Sequence, residues 1–139
     1  FMLVWLLPVW VLLGLCRLAI LTAPLRRMHA FYGQNLGICP WVPLATPRQI
    51  ARARDIRRTI GLAATYSPWT ANCYPQALTA RILMGLYGVP YALHFGLRRD
   101  NDGRKIAAHA WVGCGPVAVS GGQSFGAYTI VRSFAARED

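Results

Sequence analysis

Four cysteines and three histidines are the side chains most able to do covalent chemistry here. Cys73 is singled out by its position. Asn72 is a good N-cap, and Cys73-Tyr74-Pro75-Gln76-Ala77-Leu78 reads as the opening of a helix. Unpaired N–H groups and the positive dipole end of a first helical turn favour a thiolate. The thiolate, not the thiol, is the nucleophile in acyl transfer. The competing reading is a small buried hydrophobe, which is how Cys16 in its apolar run is read. His109 follows 109 − 73 = 36 residues later, in Ala107-Ala108-His109-Ala110-Trp111-Val112, a stretch with strand composition. An imidazole there can take the thiol proton and hand it to a leaving amine. His94, in Leu93-His94-Phe95-Gly96, reads as structural, with a second-base role as the alternative. His29 lies in a connector and shows no partner.

A thiol–imidazole pair usually has a third polar group that orients the base. The acidic residues are Asp55, Asp100, Asp102, Glu138 and Asp139, and none lies on the strand after His109. Turn chemistry accounts for Asp100 and Asp102. No Cys-x-x-Cys pair and no Gly-rich phosphate loop occurs, so zinc ribbons, thioredoxin-like motifs and nucleotide loops drop out. Neither metal nor cofactor is expected.

Around these residues the pattern predicts helices first and strands after. Residues 1–25 are an apolar block, uncharged for the 16 residues before Arg17 and interrupted by Pro8 and Gly14. That is short of the ~20 residues of a spanning helix. A helix packed on the domain is one reading; a membrane-associated helix, with Trp5, Trp10 and flanking arginines at the interface, is the other. Residues 26–47, punctuated by Gly33, Gly37, Pro40, Pro43 and Pro47, read as a connector without regular structure. Thr46 as N-cap and Pro47 in the first turn open a helix to about Ala64. Ile50, Ala53, Ile56 and Ile60 mark its inner side; Arg48, Arg52, Arg54 and Arg58 mark its outer side. The Cys73 helix ends at Gly88 with Pro90 beyond. Tyr91–Arg98, Ile106–Val112, Val117–Val119 and Tyr128–Phe134 read as strands, with Gly113–Pro116 a tight turn. The expected class is α+β, with helices on an antiparallel meander. The division expected is a lead-in over 1–44 and a catalytic domain over 45–139.

Composition narrows the partners. Lys+Arg exceeds Asp+Glu by 15 − 5 = +10, and hydrophobic residues are 55 % of the 139. Intrinsic disorder is excluded. All bases but Lys105 are arginines set among apolar residues, which fits an acidic partner or an anionic membrane surface better than nucleic acid. The scattered cysteines suggest a reducing, cytoplasmic location, with membrane association as an addition.

A cysteine at a helix start followed by a histidine on a strand is the layout of papain-like and transglutaminase-like thiol enzymes. Several stretches sharpen this. Pro68-Trp69-Thr70-Ala71-Asn72-Cys73-Tyr74-Pro75-Gln76-Ala77-Leu78, Tyr87-Gly88-Val89-Pro90, Leu93–Asp100, Ala108–Val112 and Val119-Ser120-Gly121-Gly122 resemble the lasso-peptide biosynthesis B proteins. The resemblance covers about residues 45–135. It implies a transglutaminase-like cysteine protease that removes the leader from a ribosomally made precursor. It implies Cys73 as nucleophile and His109 as general base. The family's third member, an aspartate, falls in ungapped register at Gly121, with Ser120 beside it. Ser120, Gln123 or a backbone carbonyl would then orient the imidazole, or the site would work as a dyad. The partners implied are the lasso precursor peptide and an asparagine-synthetase-like cyclase that supplies the ATP chemistry. A leader-recognition domain or protein is expected outside these residues. The rival readings are a catalytically silent scaffold that presents the precursor to the cyclase, and a small membrane-associated acyltransferase using the same two residues.

Overall fold

The computed structural model describes residues 2–22, 32–37, 43–66, 73–99, 106–121 and 128–135. Among them the elements are α1 (Met2–Thr22), β1 (Gln34–Gly37), α2 (Pro47–Thr65), α3 (Cys73–Leu86), β2 (Ala92–Arg99), β3 (Ile106–Cys114), β4 (Val117–Ser120) and β5 (Thr129–Ala135). The helices pack on a five-stranded antiparallel sheet, the α+β architecture expected.

Local chemistry sets the helix ends. At the start of α2 the Gln49 N–H donates to Thr46 Oγ1 at 3.2 Å, and the Thr46 N–H donates to Gln49 Oε1 at 2.9 Å. This reciprocal capping box satisfies two orphan donors, with Pro47 occupying a position that needs none. At the end of α3, Gly88 takes φ +65°. Its N–H donates to the Gly85 carbonyl at 3.2 Å and the Val89 N–H to that of Met84 at 2.9 Å, which closes the last turn.

Packing sets the rest. α2 buries Ala53, Ile56, Thr59, Ile60 and Ala63, and exposes Arg48, Arg54, Arg57 and Arg58. α1 runs unbroken through Pro8 and Gly14, against the expected interruption. Pro8 is exposed, so water can serve the carbonyl its missing N–H leaves, and packing on α2 and α3 sustains the helix. Val9, Leu13 and Cys16 form its inner face. Trp10 Nε1–H donates to the Tyr66 carbonyl at 3.2 Å.

The strand order is β1-β5-β2-β3-β4. Two expectations are corrected here. The strands are not a simple meander, because β5 inserts between β1 and β2 rather than beside β4. The connector is not wholly irregular, because Gln34–Gly37 forms an edge strand against β5. Its sequence, Gln-Asn-Leu-Gly, has no apolar alternation, and pairing alone makes it a strand. The Gly113–Pro116 turn also narrows: β3 continues through a buried Cys114, and the chain reverses at Gly115 with φ +55°.

Register divides the sheet into two faces. Leu93 lies opposite Val112 and Phe134, and all three belong to the core beneath the helices. His94 lies opposite Trp111 and Ser133, and Gly96 opposite His109. Alternation therefore sets these on the other face.

Candidate active site

Cys73 is the first residue of α3, where the sequence placed it. Its side chain lies outside the described residues, as do Gln123, Cys39 and His29. α3 itself is fixed by Ala77, Ala80, Leu83 and Met84, buried in one core with Ala110 and Val112 of β3.

His109 is half-buried on β3. Its Nε2 lies 3.2 Å from the carbonyl oxygen of Gly121. A carbonyl only accepts, so in this contact Nε2 carries the proton and donates. In the neutral imidazole Nδ1 is then the nitrogen with a free lone pair, the atom suited to act as base. Two aromatic faces hold the ring plane. Tyr128 stacks on it at 4.8 Å and 21°, and Trp111 lies at 6.0 Å and 26°. The Arg98 guanidinium sits 4.9 Å above Tyr128.

Small residues make this stack possible. A Cβ on Gly96 would meet the Trp111 ring at 2.7 Å and Tyr128 Cβ at 2.8 Å. Gly121 has φ +80°, and a Cβ there would lie 2.4 Å from Trp111 Cβ. A register shift between Val112 and Gly113 sets Val112 opposite Ser120, which brings Gly121 level with the His109–Trp111 stretch. At Gly121, the residue in ungapped register with the aspartate sought, it is the backbone carbonyl that meets the imidazole. Ser120 is buried, and its hydroxyl oxygen has no hydrogen-bond partner among the described residues, so it does not hold the imidazole there.

The other candidates have structural surroundings. His94 is fully buried, with Nδ1 2.7 Å from Ser133 Oγ. Burial holds the Cys16 and Cys114 thiols above the ordinary thiol pKa of about 9; the Thr79 hydroxyl, donating to Cys16 Sγ at 3.5 Å, offsets part of this for Cys16. Both are free and protonated near neutral pH, unlike a nucleophile. Among the described residues no three His, Cys, Asp or Glu side chains converge to hold a metal.

Residues 18–133 match the family model of the transglutaminase-like superfamily. The chain belongs to the transglutaminase-like superfamily. This superfamily includes cysteine peptidases and transglutaminases, and the transglutaminase-like fold accounts for a cysteine at a helix start beside an antiparallel sheet that carries a histidine. No curated protein and no solved structure matches the chain. Sequence reasoning missed Tyr128, Trp111 and Gly96 as the shell of His109 in this transglutaminase-like domain. A glycine inside a strand was the available signal, since it marks a close approach.

Proposed function

We propose that the chain is a cysteine peptidase that removes the leader of a lasso-peptide precursor and acts beside a macrolactam-forming cyclase. Membership of the transglutaminase-like superfamily supports the chemistry. The observation that carries it furthest is the His109 Nε2 to Gly121 carbonyl contact at 3.2 Å, which orients an imidazole with Nδ1 left to act. In this reading His109 Nδ1 takes the Cys73 thiol proton and the thiolate sulfur attacks the scissile carbonyl carbon. The oxyanion is met by the backbone N–H at the helix start. On collapse, the C–N bond breaks and the imidazolium gives its proton to the leaving amine. Water, deprotonated by His109, then hydrolyses the thioester and frees Cys73. The motifs Asn72-Cys73-Tyr74-Pro75 and Ala108-His109-Ala110-Trp111 support the narrower assignment to leader removal. The precursor, the cyclase and a leader-recognition domain or protein are the partners proposed.

A second reading has its own support. The orienting group is a neutral carbonyl, not a carboxylate, and alternation sets His109 on the sheet face opposite Ala110 and Val112, which pack with α3. Both favour a silent scaffold that presents the precursor to the cyclase. The test is mass spectrometry of precursor incubated with cyclase, the leader-recognition partner and wild-type, Cys73→Ala or His109→Ala protein. Peptidase action requires that both substitutions abolish leader removal with the thermal transition retained. Wild-type turnover by either variant overturns the assignment. Complete absence of cleavage by the wild-type chain, with the precursor bound, supports the scaffold.

A further inference from the structure

α1 is apolar on both sides, and among the described residues one side packs into the core. Val9, Leu13 and Cys16 face the core. On the opposite side Val4, Leu7, Val11, Leu15 and Leu18 recur at i, i+3, i+7, i+11 and i+14, and are between 44 % and 74 % exposed. At 1.5 Å per residue the stripe is about 21 Å long. A shallow groove lined by Trp5, Leu7, Pro8, Val11, Leu12 and Leu15 runs along it. No polar side chain interrupts the stripe, so it is a contiguous apolar surface of the kind that marks an interaction site.

We propose that this face of α1 seats the protein on an anionic lipid surface, lying in the boundary between headgroups and acyl chains. Charge selects the occupant. The chain carries +10, and among the described residues Asp55 is the one acidic residue against ten arginines. Such a balance draws the protein to anionic headgroups and sets two copies against each other. Chemistry agrees. Protein interfaces carry regular hydrogen bonds and aromatic anchors, whereas the centre of this stripe is wholly aliphatic. Trp5 and Trp10 border the stripe and close it against the protein, Trp10 Nε1–H donating to the Tyr66 carbonyl at 3.2 Å and Trp5 standing edge-on to Tyr87 at 5.9 Å, which leaves the aliphatic centre as the surface that meets acyl chains. The helix lies on the surface rather than through it. Its inner face is committed to α2, whose outer side is lined by arginines, and among the described residues no helix is long and apolar enough to cross a membrane. The inference does not depend on the chemistry proposed for Cys73 and His109.

The test is flotation of the full chain with phosphatidylcholine vesicles containing one-third phosphatidylglycerol, beside pure phosphatidylcholine vesicles. The protein should float with the anionic vesicles, bind the neutral ones at least tenfold more weakly, and lose binding in about 0.5 M sodium chloride. Leu7→Gln with Leu15→Gln should lower the partition by roughly two orders of magnitude and leave the melting temperature unchanged, because neither side chain supports the core. Failure to float with anionic vesicles overturns the proposal, and so does equal partition of the double variant. A concentration-dependent dimer abolished by the same substitutions would assign the face to self-association. Retention on the purified cyclase without vesicle binding would assign it to a protein. Either result also overturns the lipid assignment.

Discussion

Replacing Gly121 by alanine asks one methyl group to enter two constraints at once. The residue holds φ +80°, where a side chain costs about 1–2 kcal/mol. The new Cβ would lie 2.4 Å from Trp111 Cβ and 3.1 Å from both the Ala110 carbonyl oxygen and His109 Nε2. Trp111 is only 1 % exposed and already rests over Gly96 and against Tyr128, so it has little room to yield. Overpacking of this kind costs about 1–3 kcal/mol. The sum is about 2–5 kcal/mol, or a fall of roughly 7–17 °C in melting temperature for a domain of this size. Gly88→Ala is the internal control. It shares a positive φ, +65°, but nothing lies within 4 Å of its Cβ, so it should lose only about 1–2 kcal/mol. Urea denaturation followed by circular dichroism compares the three proteins at constant slope. A Gly121→Ala loss under about 1 kcal/mol, or one no larger than that of Gly88→Ala, would refute the close approach of β4 to the His109 shell. Gly121→Asp, the change that would restore a carboxylate in ungapped register, meets the same obstruction, so its cleavage rate has to be read beside its stability.

Two further outcomes follow from the same geometry. Tyr128→Ala should cut turnover by about tenfold or more through loss of the stack that holds the His109 ring, while Tyr128→Phe keeps the ring and should stay near wild type; equal rates for both in a precursor-cleavage assay would remove Tyr128 from the positioning of the base. The raised Cys16 and Cys114 thiols bind protons more tightly folded than unfolded, so stability is full below the unfolded thiol pKa of about 9 and falls as pH rises through it; denaturation midpoints between pH 8 and about 10 should decline, and less steeply in Cys16→Ala.

Elements bounded by side-chain chemistry could be read from the sequence. Thr46 before Pro47, and Gly88 before Pro90, announce their helix ends because caps are local. β1 could not be read, because nothing in Gln34–Gly37 alternates and its strand character comes from β5, about a hundred residues away. α1 was legible as apolar but not as to which side faces the core, since an all-round apolar helix has no polar face to orient it. At the candidate site, the helix start at Cys73 and the strand that carries His109 were readable from local sequence. Which of Ser120, Gln123 or a backbone carbonyl meets the imidazole was not, because a backbone acceptor such as the Gly121 carbonyl leaves no trace in residue identity. Its place depends on one register shift in the β3–β4 pair.

The position of β5 bears on how the molecule assembles. β2, β3 and β4 are joined by consecutive antiparallel pairings and can zip up as a local unit. β1 has no partner until β5 arrives, and β2 keeps one edge open until the same moment. A chain held short of residue 129, on the ribosome or by truncation, would therefore carry an open strand edge and an unpaired β1, both templates for misassociation. The joining of β1 to β5 also closes a loop of roughly a hundred residues, which makes it the slow, high-contact-order step of folding.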